Sequence, residues 1–490
     1  MTAIYRPSEP PQNFNPQEFW TLPSQLADAE KRLQQLAENI AADLDLLSYP
    51  SRIWDYSDRT DSLEVAIIGA GYVGQSAAFG LRRHGIKQVR IFDRCGPRQA
   101  GPWRSYARNA TLRTPKNVTG GLDWGIPNLN FRRWCDACYG DDYWHSIRYI
   151  PRLLWADYLD WYSEVLALPT QHHTDVVDIH WQGNENCFHL KTLEAGRPNL
   201  QKARFIIFAT GMDCAGGRNI PNIVRNSLPE ECYHHTMDAI DFSTLSGQRV
   251  GIIGGGASAF DNAILALRAG AAAVNIMVRR SVLPNINRIR WSEWNGYHRH
   301  FIDLPDEMKW AYSLGEVRTG QLPPPHTYHQ AMSYPQLTLY TDAPVKCLHH
   351  TGGEIVGQYG DVTLHHDRLI CGTGFITNLD AQPELATLAQ HVARWCDRYT
   401  PPPGDEHPEM ARYPYLGKSL EFLPKQSDHD YLRRCYYLSS GAALLSGYRA
   451  NLSGLQFALP RVAYDIGRQL FLEHKEDIWA AYNAYDIREY

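Results

Sequence analysis

The chain has 490 residues, 44% of them hydrophobic, which is enough for a large core and two to three domains. The net charge of −5 is spread without long runs of one sign, so no basic stripe indicates nucleic-acid binding. The sequence shows no apolar run long enough for a membrane span, no signal-peptide core and only scattered cysteines. These features predict a reduced, cytoplasmic protein without a membrane span.

Residues 1–63 precede the first strong strand signal and predict a loop and helix extension. Six aliphatic side chains recur there at helical spacing and fall on one face: Leu26, Leu33, Leu36, Ile40, Leu44 and Leu47. Such a stripe either packs on the main body of the protein or forms a dimerisation helix. The sequence therefore leaves a homo-oligomer open.

A glycine-rich fingerprint of the form GxGxxG occupies residues 69–74, directly after the apolar run 65–68. It precedes a helical segment and a second apolar run, 89–92, which ends in Asp93. Glycine allows close backbone approach, and a helix N-terminus offers free N–H groups to a pyrophosphate. An acidic residue at the end of the second strand accepts hydrogen bonds from a free ribose 2′-OH.

A second fingerprint, residues 254–259, follows the apolar run 250–253 and repeats this arrangement. Its second strand, 274–278, is followed by Arg279 and Arg280 instead of an acidic residue. Guanidinium groups at this position suit a ribose 2′-phosphate. The two units therefore predict two dinucleotides in one chain, the second of them NADP(H).

Two similar strand–turn segments, 204–211 and 369–375, enclose the second unit in the sequence. This order predicts an α/β protein with two Rossmann-like dinucleotide-binding domains, the second inserted into the first. The predicted boundaries are 64–211 and 369–490 for the two parts of the first domain, the latter with C-terminal helices. Residues 212–368 form the inserted domain.

Several motifs match, in order, those of the class B flavin-dependent monooxygenases. They are the first fingerprint, Gly101-Pro102-Trp103, residues 112–116, residues 209–211, His235-Thr236, the second fingerprint with Arg279-Arg280, and residues 372–375. Over about residues 64 to 455 the chain resembles this family, and within it a bacterial branch of flavin-containing monooxygenase-like FAD/NAD(P)-binding oxidoreductases. The resemblance implies FAD in the first unit and NADPH in the second.

The resemblance also implies roles for single residues. Those expected at FAD are Gly69, Gly71, Tyr72, Gly74, Asp93, Arg94 and, near the isoalloxazine or ribityl chain, Trp103. Those expected at NADPH are Gly254, Gly256, Ser258, Arg279 and Arg280.

Two candidate catalytic residues depart from the family pattern. Arg113 takes the place of an asparagine beside the flavin, and it suits an acidic substrate, the nicotinamide ribose or a structural ion pair. His235 lacks the Phe-x-Gly and the Trp of the Baeyer–Villiger fingerprint, and it is either an NADPH-sensing linker residue or a structural one.

The implied activity is that of an FAD-dependent, NADPH-using monooxygenase. Such an enzyme forms a flavin C4a-(hydro)peroxide with O2 and oxygenates a small organic substrate by N-, S- or Baeyer–Villiger oxygenation. One alternative is a flavin disulfide reductase that uses the CxxC pair Cys135 and Cys138, and another is a non-catalytic FAD/NADP-binding redox sensor. No metal site is expected, because the pair has no second ligand pair nearby.

Overall fold

The structure is a computed structural model that describes residues 2–4, 20–49, 62–118, 121–212, 216–439 and 452–490. The loop predicted before the first helix lies mostly outside the described residues. The fold is mixed α/β, with two larger, mainly parallel sheets and two smaller antiparallel ones.

The first sheet joins strands from both ends of the chain. Its members are β2 (Leu63–Ile68), β3 (Val89–Phe92), β6 (Thr170–Gln171), β7 (Thr174–Gln182), β8 (Cys187–Glu194), β9 (Arg197–Phe208) and β18 (Cys435–Tyr437). Their order is β6-β3-β2-β9-β8-β7, and β18 pairs in parallel with the carboxyl end of β9. β2 and β3 are almost entirely buried, as expected for parallel strands covered on both faces.

The second sheet is built from strands that lie between β9 and β18 in the chain, plus one strand from the amino-terminal end. Its members are β1 (Ala3–Ile4), β10 (Tyr233–His235), β11 (Arg249–Ile253), β12 (Ala273–Met277), β13 (Leu337–Thr341) and β17 (Arg368–Cys371). The order is β1-β13-β12-β11-β17-β10, parallel except for β1. Two short antiparallel sheets complete the strands: β4 (Thr111–Pro115) with β5 (Tyr149–Pro151), and β14 (Val345–Thr351) with β15 (Glu354–Tyr359) and β16 (Val362–His366).

Helices connect and cover these sheets. Those of the first part of the chain are α1 (Ala29–Leu46), α2 (Tyr72–Arg83), α3 (Phe131–Tyr139), α4 (Asp141–Ser146), α5 (Arg152–Val165) and α6 (Asn222–Ser227). Those of the later part are α7 (Ala257–Arg268), α8 (Arg288–Trp291), α9 (Asn295–His300), α10 (Asp306–Thr319), α11 (Pro325–Met332), α12 (Pro408–Ala411), α13 (Leu452–Glu473) and α14 (Lys475–Ala484).

The sheet to which strand β17 belongs differs from what the predicted domain boundary at residue 369 implies. The boundary gives this strand to the first domain, whereas β17 pairs with β10 and β11 of the second sheet. The short apolar run of β17 is equally compatible with either sheet, so only long-range pairing decides its place. The first sheet resumes at β18 instead.

The amino-terminal helix α1 packs on the first half of the protein. Leu36 and Ile40 are buried in its core, and the Arg32 guanidinium donates a hydrogen bond to the Asp136 carbonyl oxygen of α3 at 3.1 Å. Leu47, at the end of the predicted stripe, is 51% exposed. The stripe thus supports packing on the main body.

Among the described residues, no helix combines the length and the apolar character needed to cross a membrane.

Candidate active site

The first glycine loop is shaped by two close approaches of backbone. Gly69 has φ +102°, and a side chain there would place Cβ 2.5 Å from the Ala209 carbonyl oxygen. A Cβ on Gly74 would overlap the Gly69 carbonyl oxygen, whereas a Cβ on Gly71 would meet only open space. The helix α2 begins at Tyr72, so its free N–H groups lie beside this open space. These features fit a pyrophosphate group at Gly71.

Asp93 is hydrogen-bonded to the same loop. Its carboxylate accepts hydrogen bonds from the Ala70 N–H at 2.6 Å and from the Cys95 N–H at 2.8 Å, and the residue is 8% exposed. Arg94 follows it at an exposed position. The structure thus brings the acidic residue and the glycine loop together, while its contact with a ribose stays a prediction.

The second glycine loop repeats this geometry with one exchange. Gly254 has φ +126°, and a Cβ there would overlap the Gly372 carbonyl oxygen. Ala259 takes the place of the third glycine, and it fits because the residue opposite is Gly372, where a Cβ would lie 2.9 Å from that of Ala259. A Cβ on Gly256 would lie 3.5 Å from the Gln321 carbonyl oxygen, and Ser258 lies in the first turn of α7.

A central cavity is lined by residues of both halves of the protein, namely the half built on the first sheet and the half built on the second sheet. Representative lining residues are Tyr72, Trp103, Arg113, Ser258, Asp261 and Asn262. The Trp103 ring lies 6.5 Å from that of Tyr72, measured between centroids. The predicted flavin-side and nicotinamide-side residues therefore face one space.

A second cavity, the nucleotide cavity, continues from the first. Gln321 lines both, and the nucleotide cavity also includes the loop 254–256 with Arg279 and Arg280. Arg279 and Arg280 further line a third, basic cavity together with Arg318 and His407. The Arg280 guanidinium donates a hydrogen bond to the Thr319 carbonyl oxygen at 2.8 Å. Arg318 and His407 were not foreseen from the sequence, because they lie far from the second fingerprint and in no recognisable motif.

Arg113 lies in the central cavity as one half of an ion pair. Its guanidinium contacts the Asp261 carboxylate of α7 at 2.7 Å, and the Asp261 side chain is 4% exposed. Burial raises the pKa of Asp261, and the Arg113 charge opposes this shift. The pair joins β4 to α7. Of the three roles considered for Arg113, the structure thus shows the structural ion pair.

His235 is fully buried beneath the cavity. Its Nε2 lies 2.9 Å from the Gly374 carbonyl oxygen, and its Nδ1 accepts a hydrogen bond from the Met237 N–H at 3.2 Å. Burial lowers the pKa of the imidazole. Its ring also packs against Phe375, which lines the central cavity. These contacts suit a neutral positioning residue at the linker, and NADPH sensing stays a prediction.

Cys135 and Cys138 lie in α3 and are fully buried as free thiols. Burial raises the pKa of each thiol to about 12, which suppresses the reactive thiolate. Neither residue lines the central cavity. The geometry therefore gives no support to a disulfide exchange reaction at the flavin.

A group of metal-ligand type occurs elsewhere, on the hairpin of β7 and β8. Ligand atoms of Glu185, Cys187 and His189 lie within 4.8 Å of one another. The Glu185 carboxylate is already paired with the Lys202 ammonium at 2.7 Å. A bound cation would have to displace this charge.

The comparisons with known proteins define the class. A family model described as pyridine nucleotide-disulphide oxidoreductase matches residues 66–294. The FAD-dependent urate hydroxylase of Xanthomonas campestris pv. campestris is 37% identical over 463 residues, which cover 94% of this chain and 97% of that protein.

Solved structures agree in fold. An ornithine hydroxylase (PvdA) from Pseudomonas aeruginosa has a TM-score of 0.64 at 15% identity, covering 84% of this chain and 100% of its own. The ornithine N-hydroxylase KtzI of Kutzneria sp. 744, solved with reduced FAD, NADP+ and L-ornithine, has a TM-score of 0.65 at 16% identity, covering 83% and 99%.

The chain is thus a flavin-dependent oxidoreductase of the monooxygenase class. It belongs to the family of FAD-dependent hydroxylases that includes the Xanthomonas enzyme. The predicted class and enzyme type are confirmed, and so is the cofactor prediction of FAD with NADP(H) at the level of the family.

Proposed function

We propose that the protein is an NADPH-using, FAD-dependent monooxygenase that hydroxylates a small heterocyclic substrate, and that urate is the first substrate to test. The central cavity carries this proposal, because both glycine loops and both halves of the chain contribute to it. The 37% identity to a urate hydroxylase along nearly the whole chain supports the substrate.

In this proposal, FAD would be held at Gly69, Gly71 and Gly74, and NADPH at Gly254, Gly256 and the basic cavity. The predicted insertion of one Rossmann-like domain into the other would bring both cofactors to one cleft. Bound FAD supplies hydride acceptance and oxygen activation, while the protein orients the reactants and excludes water. Trp103, whose ring nitrogen is buried without a hydrogen-bond partner, borders the space proposed for the flavin.

The rival disulfide reductase would need thiols at the flavin, and the buried positions of Cys135 and Cys138 oppose it. The rival redox sensor would bind both dinucleotides without turning over.

The test is NADPH consumption by the purified holoenzyme with and without urate, followed by stopped-flow mixing of NADPH-reduced enzyme with oxygen. We expect urate to stimulate NADPH use and to be consumed in equal amount. We also expect a transient flavin absorbance that matches neither the oxidised nor the reduced form. A direct return to oxidised flavin without consumption of urate would contradict the proposal.

A further inference from the structure

Some polar atoms of the central cavity's lining residues have no partner. Besides Trp103 Nε1, which borders the space proposed for the flavin, three fully buried side-chain atoms make no hydrogen bond in the described structure: Arg108 Nε, Arg113 Nε and Asn262 Oδ1. Two of these three atoms are N–H donors and one is an acceptor. Because buried polar groups normally have partners, this set favours a ligand rich in oxygen or nitrogen acceptors.

Arg108 differs from Arg113 in its charge balance. Among the described residues, no carboxylate lies within ion-pair distance of Arg108, whereas the charge of Arg113 is matched by Asp261. These three are the charged residues that line the cavity, so its net charge is positive. Burial lowers the pKa of the Arg108 guanidinium, as expected for a cation that lacks a counter-ion.

The Arg108 side chain is fixed in place by backbone acceptors. It donates hydrogen bonds to the Ser105 carbonyl oxygen and, at 2.9 Å, to the Asp238 carbonyl oxygen. Its guanidinium also lies 5.6 Å from the centroid of the Phe242 ring. These contacts hold the cation at the junction of the two halves without neutralising it.

The phosphates of NADPH have other candidate partners. The nucleotide cavity and the basic cavity contain the second glycine loop, Arg279, Arg280 and Arg318, but they do not include Arg108. Besides Trp103 on the side proposed for the flavin, the aromatic side chains of Tyr106 and Phe375 line the central cavity and suit a flat substrate.

We propose that Arg108 is the anion-binding residue of the central cavity, and that the substrate is a planar anion. The inference rests on the proposed function, since it concerns the substrate of the same site. It also opposes an aliphatic ammonium substrate, because the one carboxylate of the cavity lining is occupied by Arg113.

The test uses equilibrium binding to the FAD-loaded holoenzyme without NADPH, measured by calorimetry and by flavin absorbance. The probes are urate and the isosteric pair benzoate and benzamide, which differ in charge but hardly in shape. The variants are R108Q, the charge-conserving R108K, and R104Q as a matched control. Arg104 belongs to the same loop but lies outside the cavity lining, paired with Asp157 and Asp160.

We expect the wild type and R104Q to prefer benzoate over benzamide. R108Q should weaken the binding of urate and benzoate about 10- to 100-fold, the loss expected for charge-assisted hydrogen bonds, while benzamide binding stays unchanged. R108K should restore part of the preference, and it covers the case in which R108Q does not fold.

Two results would overturn the inference. They are an unchanged benzoate preference in R108Q and no binding of either anion to the wild type. Failure of the proposed function looks different: urate then binds in an Arg108-dependent manner but does not stimulate NADPH use.

Discussion

Arg279 lies exposed at the end of β12, beside Arg280 and facing the basic cavity. Within the described part of the chain its side chain makes no hydrogen bond or ion pair, so its loss should not disturb the fold. We predict that R279Q raises the KM for NADPH about tenfold and leaves the KM for NADH unchanged, because only NADPH has the 2′-phosphate. Steady-state kinetics with both nucleotides measure this, and an equal rise in both KM values would contradict it.

Residues that a fingerprint or a family motif marks could be singled out from the sequence, whereas the other charged residues of the cavities could not. Asp93 and Arg279 follow the second strand of their units at the expected distance. Arg108, Asp261, Arg318 and His407 reach the cavities only through the packing of separate segments. The spacing of residues in a sequence does not reveal contacts between distant segments. These four residues therefore could not be recognised from the sequence.

At the scale of the element, the strand–loop–helix units use their glycines for two different purposes. Gly74 permits α2 to approach the Gly69 carbonyl, whereas Gly71 borders open space. We predict that G74A destabilises the FAD-free protein by about 1–3 kcal/mol through overpacking. G71A should leave that stability unchanged and weaken FAD binding, because its new methyl group would project toward the pyrophosphate.

The measurement is thermal unfolding of both variants after removal of FAD, followed by titration with FAD. Equal unfolding temperatures for G74A and the wild type would contradict the packing argument. An unchanged FAD affinity in G71A would contradict the placement of the pyrophosphate.

At the scale of the whole molecule, the sequence predicted two nucleotide units but not how their strands are shared. The local order of strand, glycine loop and helix is short-range and was readable. The membership of β17 and of the two-residue strand β1 depends on pairing with distant partners, β11 and β13. Short apolar runs do not specify such partners, which is why the boundary at residue 369 differed.

The two halves of the molecule meet at the pair Arg113–Asp261, and this contact has a measurable consequence. β4 follows the first glycine unit and α7 belongs to the second, so the 2.7 Å ion pair links the walls of the central cavity. Removing either partner leaves the other charge uncompensated at a largely buried position, which costs more than removing both.

We therefore predict that R113M and D261N each lower the unfolding temperature of the holoenzyme. The double variant should lower it by less than the sum of the two single decreases. Because the Arg113 side chain is 29% exposed, solvent screening reduces the expected coupling to about 1 kcal/mol, or roughly 1 °C in a chain of 490 residues. The control cycle is Arg104–Asp157, whose side chains are 31% and 42% exposed and should show little coupling. If the decrease in unfolding temperature of the double variant equals the sum of the two single decreases, the Arg113–Asp261 ion pair does not help to hold the two halves together. Their apolar contacts then do so, and Asp261 contributes only its charge to the cavity.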